Sequence, residues 1–289
     1  MKKFISVLTV TVLMAVLFCS CGGKDTAGST ARGEITVVSR EEGSGTRDAF
    51  VELAQIVDED ENDITYDGAE ITNSTSVMLT TVKGNKRAIG YVSLGSMSDD
   101  VKALSIDGTE ATAENIKSGS YKIARPFNVC YKEDTLSAAA EDFLSFVMSE
   151  EGQAIIEKEG YIKNDTAAEY EPMDNIGGKV VIAGSTSVAP VMEIIADEYK
   201  SKHKDITIEI QQTGSSAGIS SAIEGVCDLG MSSRDLKEDE SVKLKSDKLA
   251  MDGIAVIVNK SNALTDISSE TVRKIFSGEI KDWSQAEDK

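Results

Sequence analysis

Short apolar segments alternate with amphipathic helical segments along most of this 289-residue chain. The apolar segments at 35–38, 88–92 and 179–183 have the length and composition of buried strands. The segments at 138–148 and 189–202 space their apolar residues three and four positions apart, as on one face of a helix. Alternating strands and helices are typical of α/β proteins. The sequence therefore predicts an α/β fold, long enough for one large or two medium domains.

The N-terminal 33 residues are predicted to be a targeting segment and a tether. Lys2 and Lys3 precede an apolar run that is too short for a comfortable membrane span, which is the layout of a secretory signal. The run ends in LFCSCGG at 17–23, a pattern similar to a bacterial lipobox, with cleavage after Ser20 and lipid on Cys21. We therefore expect a signal peptide over 1–20, a lipidated tether over 21–33 and an extracytoplasmic protein anchored to the cell membrane. An ordinary signal peptide cleaved nearby is the alternative.

Charge and composition narrow the classes of function. Thirty Lys and Arg residues against 49 Asp and Glu residues give a net charge of −19, which repels the backbone of nucleic acids. Because His203 is the single histidine, most zinc sites and most histidine-dependent mechanisms are disfavoured. We expect no metal, no cofactor and no nucleic-acid partner. Outside the predicted signal and lipobox, Cys130 and Cys227 lie in apolar stretches and are predicted to be buried free thiols, with one disulfide as the alternative.

Three loops rich in glycine and hydroxyl side chains each follow a predicted strand and open a predicted helix. They are SREEGSGTR at 39–47, AGSTSVAP at 183–190 and TGSSAG at 213–218. At a helix start, free N–H groups and the positive end of the helix dipole attract anions, and hydroxyls add donors. Three such starts that converge would bind a tetrahedral oxyanion. The alternative is that each Ser or Thr only caps its helix.

Catalysis is disfavoured by the same loops. The nucleotide P-loop pattern GxxxxGK[ST] is absent, whereas the hydrolase pattern GxSxG occurs once in its letters, as GSSAG at 214–218. His203 sits at a predicted helix end, away from each serine loop, so a serine nucleophile has no evident base. The sequence predicts a binding protein and not an enzyme.

The loops and several longer motifs resemble those of the phosphate-binding lipoproteins that serve the bacterial phosphate ABC transporter. The further motifs are DLGMSSRDL at 228–236, DGIAVIVN at 252–259, VRKIFSGEIKDW at 272–283, AIGYVSLG at 88–95 and FLSFVMSEEGQAIIEKEGYI at 143–162. The resemblance implies a two-lobed periplasmic-binding-protein fold of type II that closes on inorganic phosphate and delivers it to permease subunits. It also implies a monomer.

The motif order differs from that family, because the SREEGSGTR half comes first here. This order indicates a circular permutation, in which the aperiodic segment 164–178 joins the usual chain ends. We predict a lobe A formed by 34–95 plus 262–289 and a lobe B formed by 96–261, with the ligand cleft between them. A truncated tandem product is the alternative at the C-terminus.

The resemblance also implies which residues bind the anion. Arg40 supplies charge-assisted hydrogen bonds, and backbone N–H groups from Ser44 to Thr46 form a nest. Glu42 is our candidate for accepting the proton of the ligand, with Ser233 or a backbone carbonyl next. The alternative for Arg40 is an exposed salt bridge with Glu41. The full predicted set is Arg40, Glu42, Ser44, Gly45, Thr46, Ser185, Thr186, Ser187, Ser215, Ser216, Ser232 and Ser233.

The resulting functional hypothesis is an extracytoplasmic, high-affinity receptor for inorganic phosphate that works with an ABC permease. The first alternative is a surface protein that binds phosphate or another oxyanion in signalling or adhesion. A receptor for another tetrahedral oxyanion such as sulfate is the second. An enzyme acting on phosphoesters is disfavoured, because the sequence carries one histidine and no metal-ligand cluster.

Overall fold

The computed structural model describes residues 33–165 and 167–286. The predicted signal peptide, the predicted lipidation site Cys21 and all but the last residue of the predicted tether lie outside the described residues. The strands are β1 (Thr36–Arg40), β2 (Glu70–Thr72), β3 (Ala88–Ser93), β4 (Val101–Ala103), β5 (Ser105–Ile106), β6 (Ala124–Tyr131), β7 (Gly178–Gly184), β8 (Ile206–Gln212), β9 (Leu229–Ser232), β10 (Lys245–Asn259) and β11 (Asp266–Ile267). The α-helices are α1 (Gly45–Leu53), α2 (Thr75–Gly84), α3 (Ala113–Lys117), α4 (Ala138–Met148), α5 (Glu150–Lys158), α6 (Ala189–Lys202), α7 (Ser215–Glu224), α8 (Glu238–Ser241) and α9 (Ser269–Phe276).

One nine-stranded sheet runs through the molecule in the order β2-β1-β3-β10-β6-β9-β7-β8, with β4 also paired to β10. At one end β1 lies parallel to β2 and β3, and at the other end β7 lies parallel to β8 and β9. The long strand β10 pairs antiparallel with β6 along 245–253 and with β3 along 254–258. Strand β10 therefore crosses from one end of the sheet to the other and joins the two lobes.

The two largest hydrophobic cores lie at the two ends of this sheet. The lobe A core is built around Phe50, Tyr91 and Phe276, and the lobe B core around Phe143 and Tyr199. Side chains from 104–123 and from 254–258 pack into the lobe A core. The predicted division placed both of these segments in lobe B. We therefore propose that lobe A extends to about residue 123 and begins again at about residue 254.

The two ends of the described chain lie side by side. The N–H of Ile35 donates to the carbonyl of Lys281 at 2.8 Å, and the N–H of Trp283 donates to the carbonyl of Gly33 at 3.1 Å. The Trp283 side chain is 1% exposed, and its indole N–H donates to the carbonyl of Arg87 at 3.0 Å. The C-terminal segment is thus fastened to the strand that precedes the first serine loop.

The segment 164–178 packs on lobe B through one buried carboxylate. Asp142 is fully buried and accepts hydrogen bonds from the hydroxyls of Tyr170 and Tyr199, both at 2.6 Å, and from the N–H of Met173 at 2.7 Å. The Tyr170 hydroxyl also lies 2.8 Å from Nε2 of His203. The single histidine therefore contributes to the packing of this connection.

Cys130 and Cys227 are buried free thiols, as predicted. Burial raises the pKa of each to about 11, so both thiols stay protonated at neutral pH.

Candidate ligand-binding site

The three glycine and hydroxyl loops all reach helix starts, but only one of them uses its hydroxyl as an N-cap. The Ser44 hydroxyl accepts from the N–H of Arg47 and caps α1. In contrast, the residue that caps α6 is Val188, and the residue that caps α7 is Gly214. Capping therefore does not explain the hydroxyls of the second and third loops.

These hydroxyls form one buried cluster at the interface of the lobes. From lobe A, Thr46 lies 2.9 Å from Ser187 and 3.5 Å from Ser233, measured between hydroxyl oxygens. Within lobe B, the Ser215 hydroxyl lies 3.2 Å from that of Ser233. All four side chains are at most 2% exposed. The contacts between the lobes show that the cleft is closed.

Arg40 brings a buried positive charge to this cluster. Arg40 is the last residue of β1, and its side chain is 3% exposed and pairs with Glu41 through Nε at 2.7 Å and Nη2 at 2.8 Å. Nη2 also donates to the Thr186 hydroxyl across the cleft at 3.1 Å. Among the described residues Nη1 has no hydrogen-bond partner, so this nitrogen can donate to a ligand. The salt bridge between Arg40 and Glu41 that we gave as the alternative is therefore present. It is not an exposed pair, because the Arg40 side chain is buried and the Glu41 side chain is 26% exposed.

Three of the hydroxyls each accept a hydrogen bond from an N–H group whose position is fixed. Thr186 accepts from Nη2 of Arg40, Ser215 accepts from the N–H of Ser233 at 3.1 Å, and Thr46 accepts from Nη1 of Arg125 at 3.1 Å. A hydroxyl that accepts from a fixed donor has its own proton free to donate elsewhere. The cluster is therefore arranged to donate hydrogen bonds, which suits an anion.

Several residues that the sequence predicted for the site make hydrogen bonds outside the hydroxyl cluster or make none. The Ser232 hydroxyl donates to the carbonyl of Arg234 within its own turn, and the Ser185 hydroxyl accepts from the N–H of Ser187. The Ser216 hydroxyl accepts from Arg234. Glu42 is exposed, and its side chain has no hydrogen-bond partner among the described residues. The structure therefore does not support Glu42 as the proton acceptor, because its carboxylate is exposed and makes no hydrogen bond to the described residues of the buried cluster.

Two residues of the site were missed from the sequence. Thr75, the first residue of α2, is 5% exposed, and its hydroxyl lies 3.1 Å from that of Thr186 and 3.2 Å from that of Ser187. A signal for Thr75 was available, since the tetrapeptide STSV occurs at both 74–77 and 185–188. Arg125 gave no comparable signal, because it lies in an apolar strand without a motif.

A second contact between the lobes lies beside the cluster. Arg234 is 7% exposed, and its Nε lies 3.0 Å from the Asp48 carboxylate of α1. Its other nitrogens donate to Glu240 at 2.7 Å and 2.9 Å and hold the guanidinium in place. This pair adds to the contacts that keep the cleft closed.

Arg125 and Asp252 form a buried ion pair where the chain passes between the lobes. Nη2 of Arg125 lies 3.3 Å from Oδ2 of Asp252, and both side chains are at most 2% exposed. Burial raises the pKa of Asp252 to about 6 although Arg125 opposes this shift.

This raised pKa predicts a pH-dependent contribution of Asp252 to stability. The native state binds the Asp252 proton more tightly than the unfolded chain, whose ordinary value is 3.8, so the contribution is lost as pH rises through 6. Relative to Asp252→Asn, the wild-type free energy of unfolding should fall by on the order of 2 kcal/mol between about pH 4.5 and about pH 7.5. Denaturant unfolding of both proteins across this range tests the prediction, and a constant difference would contradict it.

Within residues 33–165 and 167–286, no group of three or more histidine, cysteine or carboxylate side chains is placed to hold a metal ion. In the same part of the chain, no helix is both long and apolar enough to cross a bilayer.

Two lobes joined by a crossing strand and closed on a polar cleft define a periplasmic-binding-protein fold of type II. A family model described as a PBP superfamily domain matches residues 24–151 and 167–289. The phosphate-binding protein PstS 2 of Streptococcus agalactiae serotype V is 49% identical over 287 residues, covering 98% of this chain and 97% of that protein. The protein of the same name from Streptococcus pneumoniae serotype 4 is 39% identical over 289 residues, covering 98% and 99%.

A crystal structure of the phosphate-binding protein of a phosphate ABC transporter from Streptococcus pneumoniae TIGR4 is also similar. It has 40% identity and a TM-score of 0.70, and the match covers 88% of this chain and 100% of that one. This chain belongs to the PBP superfamily and, within it, to the family of PstS phosphate-binding proteins. These are transport binding proteins and not an enzyme family. Because the streptococcal relatives align almost from end to end, they share the motif order of this chain.

Proposed function

We propose that this protein is an extracytoplasmic receptor that binds inorganic phosphate in the closed cleft and delivers it to an ABC permease. The observation that carries the proposal is the buried cluster of hydroxyl donors from both lobes beside Arg40, which has Nη1 free for a ligand. Charge-assisted bonds from a guanidinium and bonds from oriented hydroxyls suit a tetrahedral oxyanion. The names of the full-length streptococcal relatives support phosphate in particular.

The cluster itself favours binding without chemistry. Within the described part of the chain, no histidine or carboxylate hydrogen-bonds to the hydroxyls of Thr46, Ser187, Ser215 or Ser233. A hydroxyl nucleophile needs such a base. We therefore propose that the site binds its ligand and releases it unchanged.

The proton of phosphate needs an acceptor in the site, and Ser233 replaces Glu42 in this proposal. Its hydroxyl is buried and lies within reach of both Thr46 and Ser215. A hydroxyl can accept a hydrogen bond from the protonated oxygen of phosphate, whereas sulfate carries no proton at neutral pH. A neutral hydroxyl does not repel a dianion as a carboxylate would, so we expect a preference for phosphate and not complete rejection of sulfate.

Calorimetric titration of the full chain with phosphate, arsenate and sulfate tests this function. We expect phosphate and arsenate to bind with similar affinity and sulfate to bind at least about fivefold more weakly, since one hydrogen bond is worth about 1 kcal/mol or more. Tighter binding of sulfate would favour the alternative of another oxyanion receptor. Absence of binding by all three anions would refute the proposed function.

Thr75 is expected to contribute to phosphate affinity although the sequence motifs did not include it. Thr75→Val keeps the shape of the side chain but removes the hydroxyl that contacts Thr186 and Ser187. We expect about a tenfold loss of affinity in calorimetry, and Thr75→Ser should restore most of it. Thr80→Val, on the exposed face of the same helix, is the matched control and should bind as the wild type does. Equal affinities of Thr75→Val and the control would remove Thr75 from the site.

We also propose that the protein is a monomer anchored to the membrane by lipid on Cys21. The lipobox-like LFCSCGG segment supports the anchor. Cys21→Ser should abolish labelling of cells with a palmitate analogue and release the protein from the membrane fraction. Unchanged labelling of that variant would argue for an ordinary signal peptide.

A further inference from the structure

Arg125 lies at the junction of the two lobes, where its guanidinium is held by Asp252 and reaches the hydroxyl cluster. It is the second residue of β6, and its guanidinium lies 4.9 Å from the centre of the Phe127 ring. Nε and Nη2 both lie 3.3 Å from Oδ2 of Asp252, on the crossing strand β10. Asp252 is held in turn by the Ser93 hydroxyl at 2.9 Å. This buried arrangement fixes the direction of the guanidinium.

The remaining nitrogen of Arg125 contacts both lobes at the floor of the hydroxyl cluster. Nη1 donates to the hydroxyl of Thr46 in lobe A at 3.1 Å and to the backbone carbonyl of Ser233 in lobe B at 2.6 Å. Every nitrogen of the Arg125 guanidinium therefore has a partner within the chain. Arg40 differs, because its Nη1 has no hydrogen-bond partner among the described residues. Both hydrogens of Nη1, the Arg125 nitrogen that faces the hydroxyl cluster, are therefore engaged by Thr46 and Ser233.

The effect of Arg125 falls on the Thr46 hydroxyl. This oxygen accepts from a charged donor, so its own proton is directed to the other side, where Ser187 lies 2.9 Å away. A cationic donor also polarises the hydroxyl and makes it a stronger donor in turn. Arg125 and Ser233 both belong to lobe B, so the contact that depends on closure is the one between Nη1 of Arg125 and the Thr46 hydroxyl of lobe A.

We propose that Arg125 is a positioning residue of the anion site. When the lobes close, it orients the Thr46 hydroxyl of lobe A as a donor to the bound anion, while Asp252 and the Ser233 carbonyl of lobe B hold its guanidinium in place. This inference rests on the proposed function, since it concerns the same cleft. The competing explanation is a buried ion pair that only stabilises the connection between the lobes.

A thermodynamic cycle on the full chain, titrated with inorganic phosphate, distinguishes the two explanations. The first variant neutralises the pair by Arg125→Gln and Asp252→Asn together, so that no buried charge is left without its partner. The second is Thr46→Val, and the third combines all three substitutions. Neutralising the exposed pair Lys83 and Asp100, by Lys83→Gln and Asp100→Asn, is the matched control.

We expect the neutral pair and Thr46→Val each to weaken phosphate binding about tenfold or more, as for the loss of a hydrogen bond to a charged group. The triple variant should bind within about threefold of Thr46→Val, because neighbouring residues that act through one group are not additive. The control should bind as the wild type does. Wild-type protein that does not bind phosphate would instead count against the proposed function.

Two results would overturn the inference about Arg125 while leaving the phosphate site intact. One is a lower melting temperature of the neutral pair with unchanged phosphate affinity, which a purely structural ion pair predicts. The other is full additivity in the triple variant. If the neutral pair does not fold, Arg125→Lys replaces it, since one ammonium cannot contact Asp252, Thr46 and Ser233 together. Unchanged affinity of Arg125→Lys would also overturn the inference.

Discussion

Arg40→Ala is expected to weaken phosphate binding at least about 100-fold, or about 3 kcal/mol, because a charge-assisted contact in a closed site is lost. The Arg40 side chain is 3% exposed, and its Nη1 is the guanidinium nitrogen that has no hydrogen-bond partner in the described part of the chain, so it can donate to a ligand. Its removal also leaves the Glu41 carboxylate without its cation, and an unpaired negative charge repels the anion. Calorimetric titration with phosphate measures the loss.

Two further variants sharpen the Arg40 test. Arg40→Lys keeps the charge but cannot contact Glu41 and Thr186 at the same time, so its affinity should fall between wild type and Arg40→Ala. Arg273→Ala removes a surface arginine of lobe A that pairs with Glu270 and Glu279, and it should leave binding unchanged. A loss of less than about fivefold for Arg40→Ala would show that the charge of this residue does not act on the ligand.

Gly45→Ala should block closure of the cleft and reduce phosphate affinity by about 100-fold, since contacts this short cost at least a few kcal/mol. A Cβ on Gly45 would lie 2.5 Å from Oγ and 2.9 Å from Cβ of Ser215, and 2.9 Å from Oγ of Ser233. Rotation of a hydroxyl relieves the first contact but not the contact with the Ser215 Cβ. Gly45 is on lobe A and both serines are on lobe B, so the clash arises only when the lobes meet.

The fold of this variant should survive, which separates a closure defect from unfolding. We expect an unfolding midpoint close to that of the wild type, together with a scattering profile that stays expanded when phosphate is added. Gly84→Ala is the matched control, because a Cβ there has no neighbour within 4 Å. Phosphate affinity of Gly45→Ala within about threefold of the control would contradict the closed arrangement of the cluster.

The local pattern of apolar and polar residues was sufficient to predict most of the helices and strands. The predicted helices at 138–148 and 189–202 coincide with α4 and α6, because each combines an apolar face with a recognisable start. The first half of β10 was missed. Residues 245–250 alternate poorly, and their pairing with β6 includes an irregularity between Lys248 and Ala250.

The choice between Glu41 and Glu42 shows a limit of motif reasoning. Glu42 was the candidate proton acceptor and Glu41 the alternative partner of Arg40, but the sequence does not show which of the two carboxylates faces the cleft. The turn after β1 directs Glu41 towards the guanidinium and Glu42 towards solvent. One residue of difference in a loop changes the direction of a side chain, and only the folded backbone determines it.

By itself the sequence determined the α/β class, the three loops rich in glycine and hydroxyl side chains, and most of the hydroxyls that meet in the cleft. These features depend on residue type and short spacing, which are local. The repeated STSV was a signal for Thr75, but only the tertiary structure showed that Thr75 and Arg125, which are 50 residues apart, reach the same hydroxyl cluster from different elements. It also decided where the lobes divide, because β10 pairs with one lobe along its first part and with the other along its second. Contacts between distant segments depend on how whole strands are ordered in the sheet, and no short stretch of sequence contains that information.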